Sequence, residues 1–575
     1  MLMTEWGKKL NPDHILQEYP RPQMVRESYL NLNGPWDYAI TDTEEQPSSW
    51  QGTILVPFSP ESVLSGVERT LQKDQTLWYH RQMTLPDGFL PEGGHLLLHF
   101  GAVDQEAMIL LNGKEMGSHI GGYNAFTIDL TEGWQEGDNQ LIVKVKDETD
   151  AGSRSRGKQK TKRGGIWYTP QSGIWQTVWM EAVPGQYIHN LQMIPHVDTA
   201  QLELTVQSDA AITAECTVTL QGVTHTIQTN TPTCLPIEDM QLWSPENPHL
   251  ESFSVVLGDD RVESYFAMRS VGVEKDENGI MRLMLNGKPY FHNGLLDQGY
   301  WPDGLYTAPS DEALIFDIQT AKDLGFNMLR KHIKVEPMRW YYHCDRIGML
   351  VWQDMPSGGS QYKVPIISAP LITGIHLKDK HYRWFAREDE VQRDAYYEEL
   401  EEMILQLRNV PSIVLWVPFN EGWGQFDAAN ACELIKELDP TRIIDHASGW
   451  HDQGIGQLQS LHVYFRPYRF KPDRKGRAVV LSEFGGYNLR LNGHCFNEID
   501  FGYKKLQNQE ELWAAYEQLF REQILPAIPK GLAATVYTQV SDVEDELNGL
   551  FTYDRAVVKL PADKLKALNN EIAQL

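Results

Sequence analysis

The stretch VLWVPFNEGWGQ, residues 414–425, decides the fold of this chain. It begins as a continuous apolar run and ends in an asparagine, a glutamate and two glycines. A run that is apolar on both faces is typical of a parallel strand covered by helices on either side. Asn420 and Glu421 therefore lie at the end of a buried strand. Two polar residues at such a position require a structural or functional explanation.

Segments of the same kind recur after Gly272 and alternate with helical patterns. Helices are predicted over SDEALIFDIQTAKDLGF, with Ser310 as its N-cap, over PMRWYYHCDRIG, opened by Pro337, and over EVQRDAYYEELEEMILQLRN. The strand-like segments are KPYFHNGLL, NMLRKHI, GMLVWQDMP, PSIVLWVPFNE, RIIDHAS, SLHVYF, AVVLSEFGG and AATVYTQVSD. Eight buried strands in about 300 residues predict a (β/α)8 barrel, also called a TIM barrel, over 272–575.

Two connections depart from this pattern, because ASGWHDQGIGQLQS and RPYRFKPDRKGR show no helical periodicity. A doubly wound open sheet is the alternative fold for this part of the chain. No glycine-rich phosphate loop supports it.

The chain before the barrel consists of short strands separated by turns. Up to residue 184, the segments HLLLHFGAV, AMILLNG, NAFTIDL and NQLIVKVKD predict a jelly-roll-like antiparallel β-sandwich. From 185 to 271, seven or so short strands predict a small immunoglobulin-like sandwich. The chain is therefore predicted to have three domains, 1–184, 185–271 and 272–575.

A basic segment, SRSRGKQKTKRGG at 153–165, interrupts the first sandwich. Its charge is unusual, because the chain has 51 basic and 78 acidic residues and a net charge of −27. One interpretation is a solvated flexible loop that adds nothing to function. The other is a loop that leans over the barrel mouth towards a ligand, assisted by the aromatic residues Trp167, Tyr168 and Trp175.

Composition limits the compartment and the partners. The strong negative charge disfavours nucleic acid and anionic membrane surfaces as partners. The five scattered cysteines form no CxxC pair, which argues against a disulfide framework or a zinc site. The first residues lack the apolar core of a signal peptide, and no apolar run of about 18 residues occurs. We therefore expect a cytoplasmic protein.

Polar residues break the apolar runs where the barrel strands end, which is where barrel chemistry collects. We expect the side chains at these positions to bind a substrate or to catalyse a reaction. These residues are Asp297, Arg330, His332, Asp354, Asn420, Glu421, His462, Tyr464, Glu483, Tyr537 and Gln539.

Glu421 and Glu483 are the informative pair among them. Each ends an apolar strand and precedes a glycine-containing turn, so both are expected to face one cavity at the barrel mouth. Cleavage of a glycosidic bond requires two carboxyl groups, one to protonate the leaving oxygen and one to attack or to activate water. Nearby aromatic residues offer flat faces for sugar rings or simply pack in the core: Trp423, Trp450, Tyr464 and Tyr487.

Two other chemistries are weaker alternatives. His332, Asp354, His446 and His462 could approach one another and bind a metal, but no HExxH or similar spacing is present. A serine hydrolase is disfavoured because no GxSxG motif occurs. We expect neither a cofactor nor a catalytic metal.

Several longer segments together resemble glycoside hydrolase family 2, the family of β-galactosidases, β-glucuronidases and β-mannosidases. The segments that carry the resemblance are RPQMVRESYLNLNGPWDYAI, GAVDQEAMILLNGKEMGSHIGGYNAFTIDLT, GGIWYTPQSGIWQTVWME, RSVGVEKDENGIMRLMLNGKPYFHNGL, GFNMLRKHIKVEP, FNEGWG and LSEFGG. The resemblance implies that Glu421 is the general acid/base, that Asn420 contacts the sugar 2-hydroxyl, and that Glu483 is the nucleophile of a retaining mechanism. A general acid is expected to have a raised pKa in the free protein.

The chain also departs from the family pattern. LRKHIKVEP replaces a serine-histidine-tyrosine-proline run, and the asparagine-x-lysine pair of glucuronidases is not evident. NVPSIVLW lacks the histidine-proline of the large β-galactosidases, so their magnesium site is not implied. Tyr537-Thr538-Gln539 lacks the tryptophan that is common on the last strand.

The leading hypothesis is a retaining exo-glycosidase that acts on terminal β-galactosides. The same mechanism on β-glucuronides, β-mannosides or α-L-arabinofuranosides is the first alternative, and a non-catalytic carbohydrate-binding protein is the second. The expected partner is a carbohydrate substrate, and the resemblance implies a possible homo-oligomer.

Overall fold

The computed structural model describes residues 2–575, and its first part is a β-sandwich of two antiparallel sheets. The smaller sheet has the spatial order Tyr29–Asn31, Val178–Val183, His95–Phe100 and Phe126–Asp129. The larger has the order Gly52–Val56, Gly34–Thr41, Thr76–Met83, Asn139–Lys146, Glu106–Leu111 and Lys114–Ile120. Alternate residues of these strands, such as Leu141, Val143 and Val145, are fully buried between the sheets.

A second, smaller sandwich follows, and it has the seven strands expected from the sequence. One sheet contains Asn190–His196, Gln201–Gln207 and Thr233–Pro236, and the other contains Val223–Gln228, Glu215–Leu220, Glu251–Leu257 and Asp260–Phe266. A three-stranded sheet, Val271–Lys275, Met281–Leu285 and Lys288–Pro289, then leads into the last domain.

The last part of the chain is a nearly closed barrel of eight parallel strands. In chain order the barrel strands are His292–Asp297, Met328–Lys331, Leu350–Asp354, Ile413–Val417, Ile443–Ile444, Leu458–Val463, Ala478–Gly485 and Leu532–Thr538. Their spatial order is five, four, three, two, one, eight, seven, six, and within the described residues strands five and six are not hydrogen-bonded to each other. The predicted multidomain fold of two sandwiches and a barrel is confirmed.

The three helices that the sequence predicted are present around the barrel, and further helices accompany them. The helices from 311 onwards are Asp311–Asp323, Met338–Ile347, Val364–Ile367, Ala369–Thr373, Glu390–Leu407, Ala428–Leu438, Gln509–Leu519 and Ala562–Ile572. Ser310 caps the first of them by accepting a hydrogen bond from the Ala313 amide at 3.2 Å. Within the described chain, the connections 445–457 and 464–477 contain no helix, as their sequence indicated.

The interior of the barrel is apolar at the amino ends of its strands. Met328, Leu350 and Val414 pack there against Val273 and Leu283 of the three-stranded sheet. That sheet closes this end of the barrel, so the polar groups are left at the opposite end, where the strands finish.

The first residues of the chain, which the sequence assigned to the first sandwich, contact both that sandwich and the barrel: Met3 and Leu10 pack near Phe58 and Leu64. A short helix, Glu5–Lys8, is capped by Thr4. The Thr4 amide and hydroxyl both donate to Asp303, at 2.8 and 2.7 Å. Among the helices of residues 2–575, none is both long enough and apolar enough to cross a bilayer.

Candidate active site

Glu421 reaches the barrel mouth through a tight turn after the fourth strand. The Glu421 amide donates to the Ser448 carbonyl at 2.9 Å, and Glu421 itself adopts a left-handed conformation with φ of 52°. A side chain at Gly422 would lie 2.6 Å from the His451 ring, so the turn requires glycine there. A left-handed non-glycine residue is strained, and such strain is typical of functional positions.

Glu483 reaches the same place from the seventh strand. Its Oε1 accepts from Arg330 at 3.2 Å and its Oε2 accepts from the Tyr464 hydroxyl at 2.6 Å. One carboxylate oxygen of Glu421 lies within 4.8 Å of one carboxylate oxygen of Glu483. The two carboxyl groups therefore share one small space, as their strand-end positions predicted.

Arg330 organises the floor of this space. Its guanidinium is completely buried and binds Asp354 through two hydrogen bonds of 3.0 and 2.9 Å. It also donates to Asn420 Oδ1 at 2.9 Å and to Glu483. Burial raises the pKa of Asp354 to about 6 despite the opposing effect of Arg330. Because Oδ1 of Asn420 is occupied, its amide NH₂ group is left to donate elsewhere.

His462 lies between the two carboxylates. Its Nδ1 is 2.7 Å from Glu421 Oε1 and 3.5 Å from Glu483 Oε2, and its Nε2 is 3.0 Å from the Ser448 hydroxyl. Ser448 donates its single hydrogen to Ser482 at 3.0 Å, so it must accept from an N–H on His462 Nε2. Nδ1 is then the ring nitrogen that faces both carboxylates.

The expectation of a raised pKa for Glu421 is wrong for this structure. Burial raises the pKa, but the hydrogen bond and charge of His462, together with a hydrogen bond from the Trp423 indole at 3.3 Å, bring it below its usual value. The sequence contained no indication that a histidine two strands away would contact this carboxylate.

His332 contributes a second polar group beside Glu483. Its Nδ1 is 2.9 Å from Gln298 Oε1, and its Nε2 is buried without a hydrogen-bond partner, 3.7 Å from Glu483 Oε1. Burial, with the positive charges of Lys158 and Arg330, holds the pKa of His332 well below its usual range, so the ring is neutral. Its Nε2 is therefore available to a substrate.

Several predicted site residues do not line the cavity between the carboxylates. Arg330 and His462 still contact the carboxylates from behind, and Asp354 binds Arg330, but four others face different partners. Asp297 binds the buried Lys331 at 2.7 Å, and Tyr537 packs edge-on against Phe484 in the core. Gln539 receives a hydrogen bond from Gln298 at 2.8 Å and so supports His332 from behind. Trp450 is half-buried and is not one of the residues that line the cavity. The prediction that these four contact substrate directly therefore has no support in this arrangement.

The basic segment forms one wall of the cavity. We call residues 153–168 the strap. Gly157, Lys158 and Trp167 of the strap line the cavity together with Glu421 and Glu483. Trp167 and Trp423 meet edge to face, with ring centroids 5.2 Å apart. The interpretation of this segment as a solvated loop is wrong for 155–159, since Arg156 is buried and Gln159 donates to Asp104 at 2.8 Å.

Sequence reasoning did not find three residues of the site. Ser448, Tyr503 and Glu546 each lie in a loop or connection, without an apolar run to mark them. Tyr503 stacks on Tyr464 with ring centroids 4.0 Å apart, and Glu546 lines the cavity from the loop after the eighth strand. The only sequence signal was the acidic run VEDE at 543–546, opposite in charge to the strap.

The cavity between the carboxylates has a volume of about 30 Å³. A cavity of that size holds about one water molecule and is smaller than a sugar ring. A much larger cavity of about 430 Å³ lies where the two sandwiches meet the barrel, but neither Glu421 nor Glu483 lines it. We therefore locate the candidate active site by its two carboxylates and not by the size of a cavity.

The fold and the site together define the chain as an α/β-barrel protein with a two-carboxylate site at the carboxyl ends of its strands. Residues 29–184 match the family model for "Glycosyl hydrolases family 2, sugar binding domain". Residues 280–479 match that for "Glycosyl hydrolases family 2, TIM barrel domain". The two matches together span more than half of the chain, which therefore belongs to glycoside hydrolase family 2, as its motifs predicted.

The relatives that the chain matches carry the names of enzymes for different sugars. The chain is 26% identical over 463 residues to a putative beta-glucuronidase of Formosa agariphila, a match that covers 72% of this chain and 50% of the relative. It is 22% identical over 490 residues to a beta-galactosidase of Halalkalibacterium halodurans, covering 80% of this chain and 43% of the relative. The matches thus span about half the length of these relatives or less.

The fold is also similar to that of solved structures. The Ruminococcus gnavus beta-glucuronidase superimposes with a TM-score of 0.75 at 16% identity, over 97% of this chain and 99% of that one. At this identity the likeness concerns the arrangement of the domains and not the substrate.

Proposed function

We propose that the chain is a retaining exo-glycosidase that hydrolyses terminal β-glycosides, with Glu483 as nucleophile and Glu421 as general acid/base. The observation that carries this proposal is the approach of the two carboxylates to within 4.8 Å. Retaining enzymes place their carboxyl groups about 5–5.5 Å apart, whereas inverting enzymes leave about 6.5–9.5 Å for a water molecule.

The hydrogen bonds of the two carboxylates support different roles for them. Glu483 receives donors from Arg330 and Tyr464, which stabilise the ionised form that attacks the anomeric carbon. Glu421 shares a proton with His462, and that proton can pass to the glycosidic oxygen as the bond breaks. The products of this first step are the free aglycone and a glycosyl ester of Glu483.

The second step reverses the roles. Glu421, now ionised, removes a proton from a water molecule, which attacks the anomeric carbon and releases Glu483. Two inversions at the same carbon give net retention. Asn420, whose amide NH₂ group is free to donate, is placed to bind the 2-hydroxyl, as the family resemblance implies.

Proton chemistry accounts for the cluster better than metal binding. Glu421, His462 and Glu483 bring three ligand atoms together, so a metal is geometrically conceivable. All four carboxylate oxygens, however, already accept hydrogen bonds from Arg330, Tyr464, His462 or Trp423. The four residues considered for a metal in the sequence do not form a cluster of that kind within the described chain.

The strap supports action on a terminal sugar. It forms a wall of the cavity on the side of the first sandwich, an arrangement that favours the end of a sugar chain over its interior. We take β-galactosides as the first substrate class to test. The β-glucuronide alternative is motivated by the relatives that carry that name, and the β-mannoside and α-L-arabinofuranoside alternatives keep the same mechanism.

A trapping experiment tests the proposed reaction. Incubation with 2,4-dinitrophenyl 2-deoxy-2-fluoro-β-glycosides of galactose, mannose and glucuronic acid should add one fluorosugar to the chain, and peptide mapping should place it on Glu483. Proton NMR of nitrophenyl glycoside hydrolysis should show the β-anomer forming first. An α-anomer formed first would exclude the double displacement. The absence of labelling and turnover with every sugar would favour a carbohydrate-binding protein.

His462 is expected to set the pH range of the reaction. His462→Leu removes the hydrogen bond and the charge that lower the pKa of Glu421, so the pKa should rise towards the value that burial alone favours. The basic limb of the kcat/KM profile reports loss of the acid's proton, so it should move to higher pH. Loss of a hydrogen bond to a charged group should also reduce kcat/KM at the optimum by about 10- to 100-fold.

Two further variants make this prediction specific. His462→Asn keeps a neutral donor near Glu421 and should move the basic limb less than His462→Leu. His446→Asn changes another buried histidine, which binds Asp452 at 3.1 Å rather than either carboxylate, and should leave the limb in place. An unchanged basic limb in His462→Leu would remove His462 from control of the acid.

A further inference from the structure

Lys158 and Glu546 form a charge pair inside the cavity, across the boundary between the first sandwich and the barrel. Lys158 Nζ lies 3.6 Å from Glu546 Oε2, and the exposed fractions of the two side chains are 13% and 2%. Both residues line the cavity that contains Glu421 and Glu483. The pair is therefore positioned to touch any sugar that the carboxylates cleave.

The contacts of each partner leave hydrogen-bonding capacity towards the cavity. Within the described chain, the polar neighbours of the Lys158 ammonium are Glu546 and the Tyr168 hydroxyl at 3.4 Å. An ammonium has three N–H groups, so at least one is unused. Glu546 accepts from the Tyr168 hydroxyl and, at 3.4 Å, from Asn548, which leaves lone pairs on its carboxylate.

The charges of the side chains that line the cavity are unbalanced. Behind the lining, Arg330 is already bound to Asp354 and Glu483, and His462 contacts Glu421. Three carboxylates line it, those of Glu421, Glu483 and Glu546, whereas Lys158 is the single lysine or arginine among the described lining residues. His332 adds no charge because its pKa is well below its usual range. A substrate carboxylate would be a fourth negative group, and the one ammonium that could receive it is already paired with Glu546.

We propose that the Lys158–Glu546 pair selects a neutral sugar and rejects a uronic acid at this site. Glu546 accepts hydrogen bonds from sugar hydroxyls, and Lys158 donates to a hydroxyl or ring oxygen while its charge is offset by Glu546. Neutral hydroxylated rings satisfy both partners, whereas a uronate meets the charge of Glu546. The inference rests on the proposed glycosidase function and names the substrate class within it.

Kinetics on matched nitrophenyl glycosides test the proposal. The substrates are the β-galactoside, β-glucoside, β-mannoside, β-glucuronide and β-galacturonide, compared by kcat/KM. The wild type should prefer its best neutral glycoside over either uronide by about 100-fold or more. Glu546→Gln frees the charge of Lys158, so it should raise uronide turnover and narrow that ratio by at least about tenfold.

A variant of Lys158 tests whether this residue donates a hydrogen bond to a neutral sugar or binds the carboxylate of a uronate. Lys158→Met keeps the length of the side chain but removes the charge, and it should raise KM for the neutral glycoside without any gain on uronides. Lys162→Met, an exposed lysine of the same strap, should leave every ratio unchanged. Thermal unfolding of each variant, and the kcat/KM ratio within one variant, separate a change in specificity from a loss of folded protein.

Each outcome decides the proposal. A wild type that prefers a uronide, with that preference lost in Lys158→Met, would make Lys158 a uronate anchor and overturn the inference while leaving the glycosidase function intact. The inference would also be overturned if the ratio of kcat/KM for the neutral glycoside to kcat/KM for the uronide were the same in the wild type, Glu546→Gln and Lys158→Met. Absence of turnover with all five nitrophenyl glycosides, together with absence of labelling by the three fluorosugars, would instead defeat the proposed function, and the inference with it.

Discussion

Replacing Glu483 with glutamine is expected to abolish turnover, with kcat reduced by about 10⁴-fold or more, because an amide cannot act as the attacking nucleophile. The fold should persist. Glutamine has the same shape, and the buried Arg330 retains its two hydrogen bonds to Asp354. Nitrophenyl glycoside kinetics measure the loss, and thermal unfolding measures the stability.

A buried glutamate elsewhere provides the matched control for this variant. Glu399 lies on the helix Glu390–Leu407, 3.5 Å from Arg154, and does not line the cavity of the two carboxylates. Glu399→Gln should leave kcat within a few-fold of the wild type. Near-normal activity in Glu483→Gln would remove Glu483 from the mechanism, however close it lies to Glu421.

Glu421→Ala is expected to slow the reaction by about 10²- to 10⁴-fold on substrates whose leaving group needs a proton. A dinitrophenol leaving group needs none, so the dinitrophenyl glycoside should still be attacked by Glu483. The glycosyl-enzyme should then accumulate because water lacks its base. Mass spectrometry of the intact protein measures this intermediate, and the burst of released dinitrophenol measures its rate of formation.

Azide distinguishes the two carboxylates by stereochemistry. Azide needs no base, so it should restore turnover of Glu421→Ala and give a glycosyl azide of retained configuration, since Glu483 has already inverted the carbon once. Glu483→Ala with azide should give the opposite configuration, because only one displacement occurs. A lack of rescue in both variants would argue for a binding protein. An inverted product from Glu421→Ala would show direct displacement and exchange the assigned roles.

The sequence was sufficient for the fold and for the two carboxylates. Apolar runs such as VLWVP record burial on both faces, and their alternation with helical patterns leaves few arrangements other than a barrel. Because parallel strands present their carboxyl ends at the same edge, Glu421 and Glu483 were expected to face each other. These signals can be seen in the sequence because each of them lies within a few neighbouring residues.

The residues around that pair were predicted less well. Asn420, His332 and Tyr464 line the cavity of the carboxylates. Arg330 and His462 contact the carboxylates and Asp354 binds Arg330, whereas Asp297 and Tyr537 face other partners. The position of a residue at a strand end determines where its side chain lies along the barrel axis. It does not determine whether that side chain points into the cavity or away from it. A register shift between Leu461 and His462, for example, determines that His462 lies beside Glu483.

The tertiary structure alone decided the electrostatics and the shape of the site. The pKa of Glu421 is lowered rather than raised because of the hydrogen bond and charge of His462, which is 41 residues away in the chain. The strap closes the cavity because Lys158 and Glu546, almost 400 residues apart, meet across two domains. Apolar periodicity reports which face of an element is buried, but it contains no information on which polar groups from distant elements meet there. The fold and the two carboxylates could thus be predicted from the sequence. The contact between Glu421 and His462 and the charge pair that faces the sugar depend on how distant parts of the chain pack together.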